Sequence, residues 1–294
     1  GDLVRSRRLV RRFAVRLHNV PPDQHAYDAG GPAQPLGEMD EMGRALTLKA
    51  DARTTPTRWA LRANERFYRM PLDSTQVVPE VVVRVAPPPR WGDPSACSAC
   101  YWGRLEPRKG VDTLAAGIAH VRRKFPGFRV IFAGGDNVRA EWSGVAAEAS
   151  RGVATAGSTV IRRLAATSGC DDAVELVGQM PHDQLIRTAR TTSVAVLPSR
   201  AETFGLSFIE AMMWGVPCVV SDIAVFRELA TEHEHCLFAD PNDPVDLAEK
   251  VCRVLADPDG AARMARRAYE HVQRFTPERV VPELIRAWLS TGTD

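Results

Sequence analysis

The 294-residue chain is 45% hydrophobic and 25% charged, the profile of a globular protein with room for one large or two ordinary domains. A net charge of +2 gives no global pull toward nucleic acid, and no apolar run approaches the ~18 residues of a membrane-spanning helix. Six scattered cysteines fit a reducing cytoplasm; Cys97 and Cys100 have zinc or redox spacing, but no second pair follows, so they read as small residues entering a buried strand and no metal is expected.

Arg5, Arg7, Arg8, Arg11 and Arg12 read as a basic helix end, followed by a strand over 13–18 that stops at His18. The arginine run suits either a solvated helix face or a peripheral contact with an anionic membrane surface. Residues 19–37, rich in Pro, Gly and Asp, form a loop. Residues 38–49 are helical, and so are 54–70, where Trp59, Ala63 and Phe67 follow helical spacing. A short strand covers 76–79. The stretch 86–95, with Pro87, Pro88, Pro89 and Pro94, is a stiff linker and the best boundary.

From residue 99 strands alternate with helices. Strands are expected at 99–103, 128–133, 174–177, 193–197, 218–221 and 236–238. Helices are expected along the Val111, Leu114, Ile118, Val121 stripe and at 182–190, 206–214 and 245–255. The polar, Ala/Gly-rich stretch 136–172 carries a weak helix and reads as a surface excursion. The alternation implies a parallel sheet with helices on both faces.

Two loops carry candidate chemistry. In the first, Gly103-Arg104-Leu105-Glu106-Pro107-Arg108-Lys109-Gly110, a turn between strand and helix places Arg104 and Lys109 beside a helix N-terminus, which already favours anions. Arginine suits bidentate phosphate contact and lysine acts as a point charge. Cations in surface turns are common, so this loop alone selects no ligand. The second, Pro198-Ser-Arg-Ala-Glu202-Thr-Phe204-Gly205-Leu206-Ser-Phe-Ile-Glu210-Ala211, sets two carboxylates eight positions apart across a loop-to-helix junction. Gly205 permits close backbone approach, so the Gly205 and Leu206 amides can bind a phosphate oxygen. Carboxylates flanking that point can accept paired hydrogen bonds from vicinal hydroxyls; the alternative is a solvated Glu202 and a Glu210 that merely suits its helix.

Together these residues resemble the large retaining glycosyltransferase family with two Rossmann-like lobes, the GT-B fold, family 4 or glycosyl transferases group 1. Sucrose-phosphate, phosphatidylinositol mannosyl and lipopolysaccharide glucosyl transferases belong to it. Residues 198–212 match its pattern P-S-x-x-E-x-F-G-L-x-x-x-E-A-M, and Gly215-Val-Pro217, the G-R-L-x-x-x-K-G turn, Phe132-Ala-Gly-Gly135 and Leu176-Val-Gly178 also match. The resemblance runs unbroken over about 95–275.

It implies that Arg104 and Lys109 hold a diphosphate, that Glu210 binds ribose hydroxyls, and that Glu202 faces the donor sugar. The amides of Phe204, Gly205 and Leu206 would surround the phosphates, with Gly178 through Met180 near the base. His18 lies where family members place a histidine near the transferring sugar, and Glu80 stands where the family usually has Asn. The resemblance thus implies an α/β protein of two Rossmann-like lobes: a partial acceptor lobe over 1–90, a complete donor lobe over 91–275, and a helix in 276–294 returning toward the first lobe. The implied activity is retaining hexosyl transfer from a nucleoside diphosphate sugar to a lipid, saccharide or small-molecule acceptor, without a cofactor or metal. The rival reading is a non-catalytic nucleotide-sugar-binding fragment. A strand over 13–17 with no earlier neighbour would lie at an open edge.

Overall fold

A computed structural model describes residues 13–18, 38–136 and 156–289. The arginine run at 5–12 and the loop at 19–37 lie outside the described residues. By packing, the chain divides into two units. One comprises Gly1–Val83, Glu202–Phe204 and Arg274–Asp294; the other comprises Arg84–Ala201 and Gly205–Gln273.

The first unit holds a three-stranded parallel sheet, β1 (Ala14–Arg16), β2 (Ala52–Thr55) and β3 (Thr75–Val77), in the order β1-β2-β3. Among the described residues β1 pairs with β2 alone, the edge position expected for it. Helix α1 (Glu38–Lys49) precedes β2, and α2 (Arg58–Tyr68) follows it. Helix α2 starts two residues after Pro56, where the Thr57 hydroxyl accepts the Ala60 N–H at 3.0 Å. It ends on Arg69 in the left-handed region. Leu17, Tyr68, Met70 and Leu72 form one small core. The helix α10 (Pro277–Leu289) builds another, setting Val280 and Ala287 on Val78.

Strand β2 is not foreseen in the sequence, where 52–53 is unassigned and Thr54-Thr-Pro56 only introduces the helix expected in 54–70. Its sequence, Ala-Arg-Thr-Thr, shows no apolar alternation. Thr54 and Thr55 are nonetheless fully buried, and β-branched threonines suit a pleated interior.

The second unit is a six-stranded parallel sheet: β4 (Ser98–Trp102), β5 (Arg129–Ala133), β6 (Val174–Gly178), β7 (Val194–Leu197), β8 (Cys218–Ser221) and β9 (Leu237–Ala239). The order β6-β5-β4-β7-β8-β9 is that of a doubly wound sheet, reversing between β4 and β7. Every residue of β4, β7, β8 and the edge strand β9 is buried, while β6 at the opposite edge is half-buried. Helix α3 (Val111–Arg122) packs between α4 (Gly157–Thr167) and α8 (Pro244–Ala256). Helix α6 (Leu206–Trp214) packs with α5 (His182–Arg190) and α9 (Pro258–Val272). The short α7 (Ala224–Leu229) follows β8.

The surface excursion expected over 136–172 needs correction within its described part. Residues 157–167 are a helix whose Val160, Ile161 and Ala165 are fully buried against the rest of the unit. Ser158 ties its first turn to Asp136, with the backbone N–H at 2.8 Å and the hydroxyl at 2.6 Å from the carboxylate. Residues 137–155 lie outside the described residues. The proline-rich stretch packs within the second unit from Arg84 onward: Tyr269 donates to the Val85 carbonyl at 2.8 Å, and Arg190 to that of Ala86 at 2.6 Å.

Candidate functional site

At a reversal of strand order, the loops leaving the two flanking strands diverge and open a crevice beyond their carboxyl ends. Here those are the loop 103–110 after β4 and the loop 198–205 after β7. The first opens with the Gly103 N–H on the Ala133 carbonyl and the Leu105 N–H on that of Gly135, both at 3.0 Å. Buried Leu105 anchors it, and the Tyr101 hydroxyl donates to the Arg104 carbonyl at 2.7 Å. A 3₁₀ turn, Pro107–Lys109, follows, and Gly110 begins α3 at φ +65°. A Cβ on Gly110 would stand 1.9 Å from the Pro198 carbonyl oxygen, so the two loops meet closely at a residue without a side chain.

The loops are also stitched by arginines that the sequence reading did not single out. The Arg108 guanidinium donates to the Ala201 carbonyl at 2.8 Å, and the Arg200 N–H donates to the Arg108 carbonyl at 2.8 Å. Arg200 grips Asp112 through two bonds of 2.8 and 2.9 Å, and reaches the Thr113 hydroxyl and Asn242, each at 2.8 Å. Asp112 is 1% exposed and needs such a partner. A signal existed: Asp112 sits within the apolar stripe that starts α3. Glu106, also buried, holds Arg108 at 3.0 Å and Arg104 at 3.2 Å. Arg104 is largely exposed, and Lys109 is half-buried at the end of the turn.

Gly205 caps α6 at φ +83° with no side chain bonded to the first helical amides. A Cβ there would stand 2.3 Å from the Phe226 ring. Leu206 opens the helix, exposed. Glu210 follows one turn on. Its carboxylate accepts from the Trp102 indole at 3.0 Å and lies 3.6 Å from His182 Nε2. Burial raises the Glu210 carboxyl above the ordinary range, opposed by the Trp102 hydrogen bond and by His182. Gly178, at φ +68°, ends β6, and half-buried Met180 lies in the turn that leads to His182.

Arg104, Lys109, Gly178, Met180, Gly205, Leu206 and Glu210 therefore all belong to the second unit, at the carboxyl ends of β4, β6 and β7 or in the first turns of α6. Glu202 and Phe204 group with the first unit: the Thr57 hydroxyl donates to the Thr203 carbonyl at 2.9 Å, and Phe204 meets Phe275 edge-on at 5.5 Å. His18 is also in the first unit, half-exposed, its Nδ1 3.4 Å from Glu80. Arg16 binds the same Glu80 oxygen at 2.8 Å and the carbonyls of Val78 and Pro79 at 2.8 and 3.0 Å, joining the ends of β1 and β3.

Cys97 and Cys100 flank the entry to β4. Cys100 is fully buried, and burial pushes its thiol up to about 12, so it stays protonated at neutral pH.

Residues 98–271 match the family model for glycosyl transferases group 1. A D-inositol 3-phosphate glycosyltransferase from Acidothermus cellulolyticus is 29% identical over 258 residues, which is 81% of this chain and 54% of that protein. The chain thus spans about half the length of this curated relative. Among solved structures, sucrose-phosphate synthase from Thermosynechococcus elongatus superposes with a TM-score of 0.74 at 24% identity, over 98% of this chain and 71% of the other. Anabaena HepE, solved with UDP and glucose, gives 0.72 at 16% identity, over 94% and 71%.

Proposed function

Since the chain belongs to the glycosyl transferases group 1 family, we propose that its second unit binds a nucleoside diphosphate sugar at the paired loops after β4 and β7, and that the protein transfers the hexosyl unit to an acceptor with retention at the anomeric carbon. One observation carries the reading. At the reversal of strand order, the loop that carries Arg104 and Lys109 is tied through Arg108 and Arg200 to the loop that leads into α6, whose start has no side-chain cap. Fixed cations and backbone amides suit a diphosphate, first as a bound group and then as the leaving group whose negative charge grows during transfer. Glu210 takes the ribose hydroxyls, and the turn from Gly178 to Met180 flanks the base.

Glu202 and His18 are assigned to the transferring sugar through the family resemblance. No metal is assigned a part, and the family's mechanism needs none. Transfer takes place in the cytoplasm to an acceptor that carries a hydroxyl, and a saccharide fits best, since neighbours of this fold were solved with sugars. A second reading, binding without transfer, is favoured by the slight first unit, whose described sheet has three strands of three or four residues.

Calorimetry with UDP, GDP and ADP against the corresponding nucleosides tests the site. Lys109→Ala should cost about 1.5–3 kcal/mol of diphosphate affinity and leave nucleoside affinity unchanged, because only the charged ligand loses a charge-assisted contact. Equal losses for both ligands would sink the assignment. Nucleotide release from a bound sugar conjugate, with the product's anomeric configuration read by NMR, separates transfer from mere binding.

A further inference from the structure

The Glu210 carboxylate is shared between two partners of opposite character. Oε2 accepts from the indole N–H of Trp102 at 3.0 Å. Trp102 closes β4, 4% exposed, and its ring stacks on Trp214 with centroids 4.7 Å apart and planes at 24°. Trp214 lies four residues beyond Glu210 on α6, hence on the same helix face, and is fully buried. This side of the carboxylate is rigid. Oε1 lies 3.6 Å from Nε2 of His182, the first residue of α5, whose side chain is 55% exposed and meets the Trp214 ring edge-on at 5.5 Å. The matched P-S-x-x-E…E-A-M pattern specifies Glu210 but neither tryptophan nor His182.

Resting on the reading of Glu210 as the ribose-binding carboxylate, we infer that Trp102 is a positioning residue that pins Oε2 so that Oε1 alone faces the ligand, and that His182 is a removable cover on Oε1 which the ribose diol displaces. A free glutamate on a helix samples several rotamers, and choosing one opposes binding. The buried indole donor makes that choice before the ligand arrives. His182 stands 3.6 Å from the other oxygen, Oε1, and offsets the cost of burying the carboxylate.

Glu210 from α6 and His182 from α5 are the titratable groups of this cluster, and β4 contributes only the neutral Trp102. On α5, Asp183 pairs with Arg187 at 2.8 Å, and Arg190 donates to the carbonyls of Trp214 and Ala86.

The test uses the full chain with UDP and 2′,3′-dideoxy-UDP, with the GDP and ADP pairs run alongside, by calorimetry. Wild type should prefer the ribose form by about tenfold or more, the worth of hydrogen bonds to a charged group. Trp102→Phe should remove most of that preference while dideoxy affinity stays near wild type. His182→Ala, at an exposed position, should strengthen UDP binding and leave dideoxy affinity unchanged. Full ribose preference in Trp102→Phe would overturn the positioning role. Unchanged UDP affinity in His182→Ala would overturn the displacement of His182. A wild type that binds the diphosphate with no ribose preference would instead overturn the reading of Glu210 itself, so the two failures are told apart.

Discussion

At the scale of single residues, two buried charges pull in opposite directions. Arg200 and Asp112 satisfy each other, 14% and 1% exposed, and Arg200 adds bonds to Thr113 and Asn242. Removing the arginine strands Asp112 without its counter-charge. Arg200→Ala should cost about 3–5 kcal/mol, read as a lower urea midpoint, and should weaken diphosphate binding because the second loop loses its tie to the first. A shift no larger than an exposed Arg→Ala control would show the pair to be dispensable. Glu210 is the reverse case. Folding holds its carboxyl above its ordinary 4.5, so the charged form is the one that folding disfavours. Stability is then full below the unfolded value and is lost as pH rises through the folded one. Glutamine carries no charge at any pH, and its amide oxygen can still accept from Trp102. Glu210→Gln should therefore melt higher than wild type at pH 7, with the gain vanishing below about pH 4.5, while ribose-dependent affinity falls. Melting curves from pH 4 to 8 check the sign.

At the scale of elements, the paired loops depend on close backbone approach. Gly110 combines a left-handed backbone with a Cβ position 1.9 Å from the Pro198 carbonyl, which is backbone and cannot swing aside. Gly110→Ala should destabilise the second unit by more than the ~1–3 kcal/mol typical of backbone strain alone, since the loops must also part. Faster amide exchange in 103–110 and 198–201 than in α8 would locate the damage; unchanged exchange in both loops would refute the contact.

On the scale of the whole molecule, the two units differ in how well they are built. The second surrounds four fully buried strands with helices, while the first relies on strands of three or four residues and two small cores. Hydrogen exchange should be slowest in β4, β7 and β8 and faster in β1, whose outer side pairs with nothing among the described residues. Equal protection of β1 and β4 would contradict this.

The sequence alone was enough for the strand–helix alternation of the second unit and for the bounds of α5, α6 and α10. Those signals are local: apolar periodicity, with glycine and proline marking the ends of elements. It was also enough to locate the two loops after β4 and β7, because the loop motifs are contiguous runs. It did not reveal β2, whose four residues lack alternation, and it showed α4 only as a weak helix on a surface excursion, because the buried stripe lies among alanines and glycines. Nor did it reveal the partners of the site. Arg200 meets Asp112 from 88 residues away, and Trp102 meets Glu210 from 108. Such pairs exist only after β4 and β7 lie side by side and α6 has turned its face to them. Packing likewise assigned Glu202–Phe204 to the first unit, where Thr57 and Phe275 hold it, although its neighbours in the chain belong to the second. Periodicity along a chain reports what each element buries, and only the folded sheet brings together the side chains that complete a buried charge.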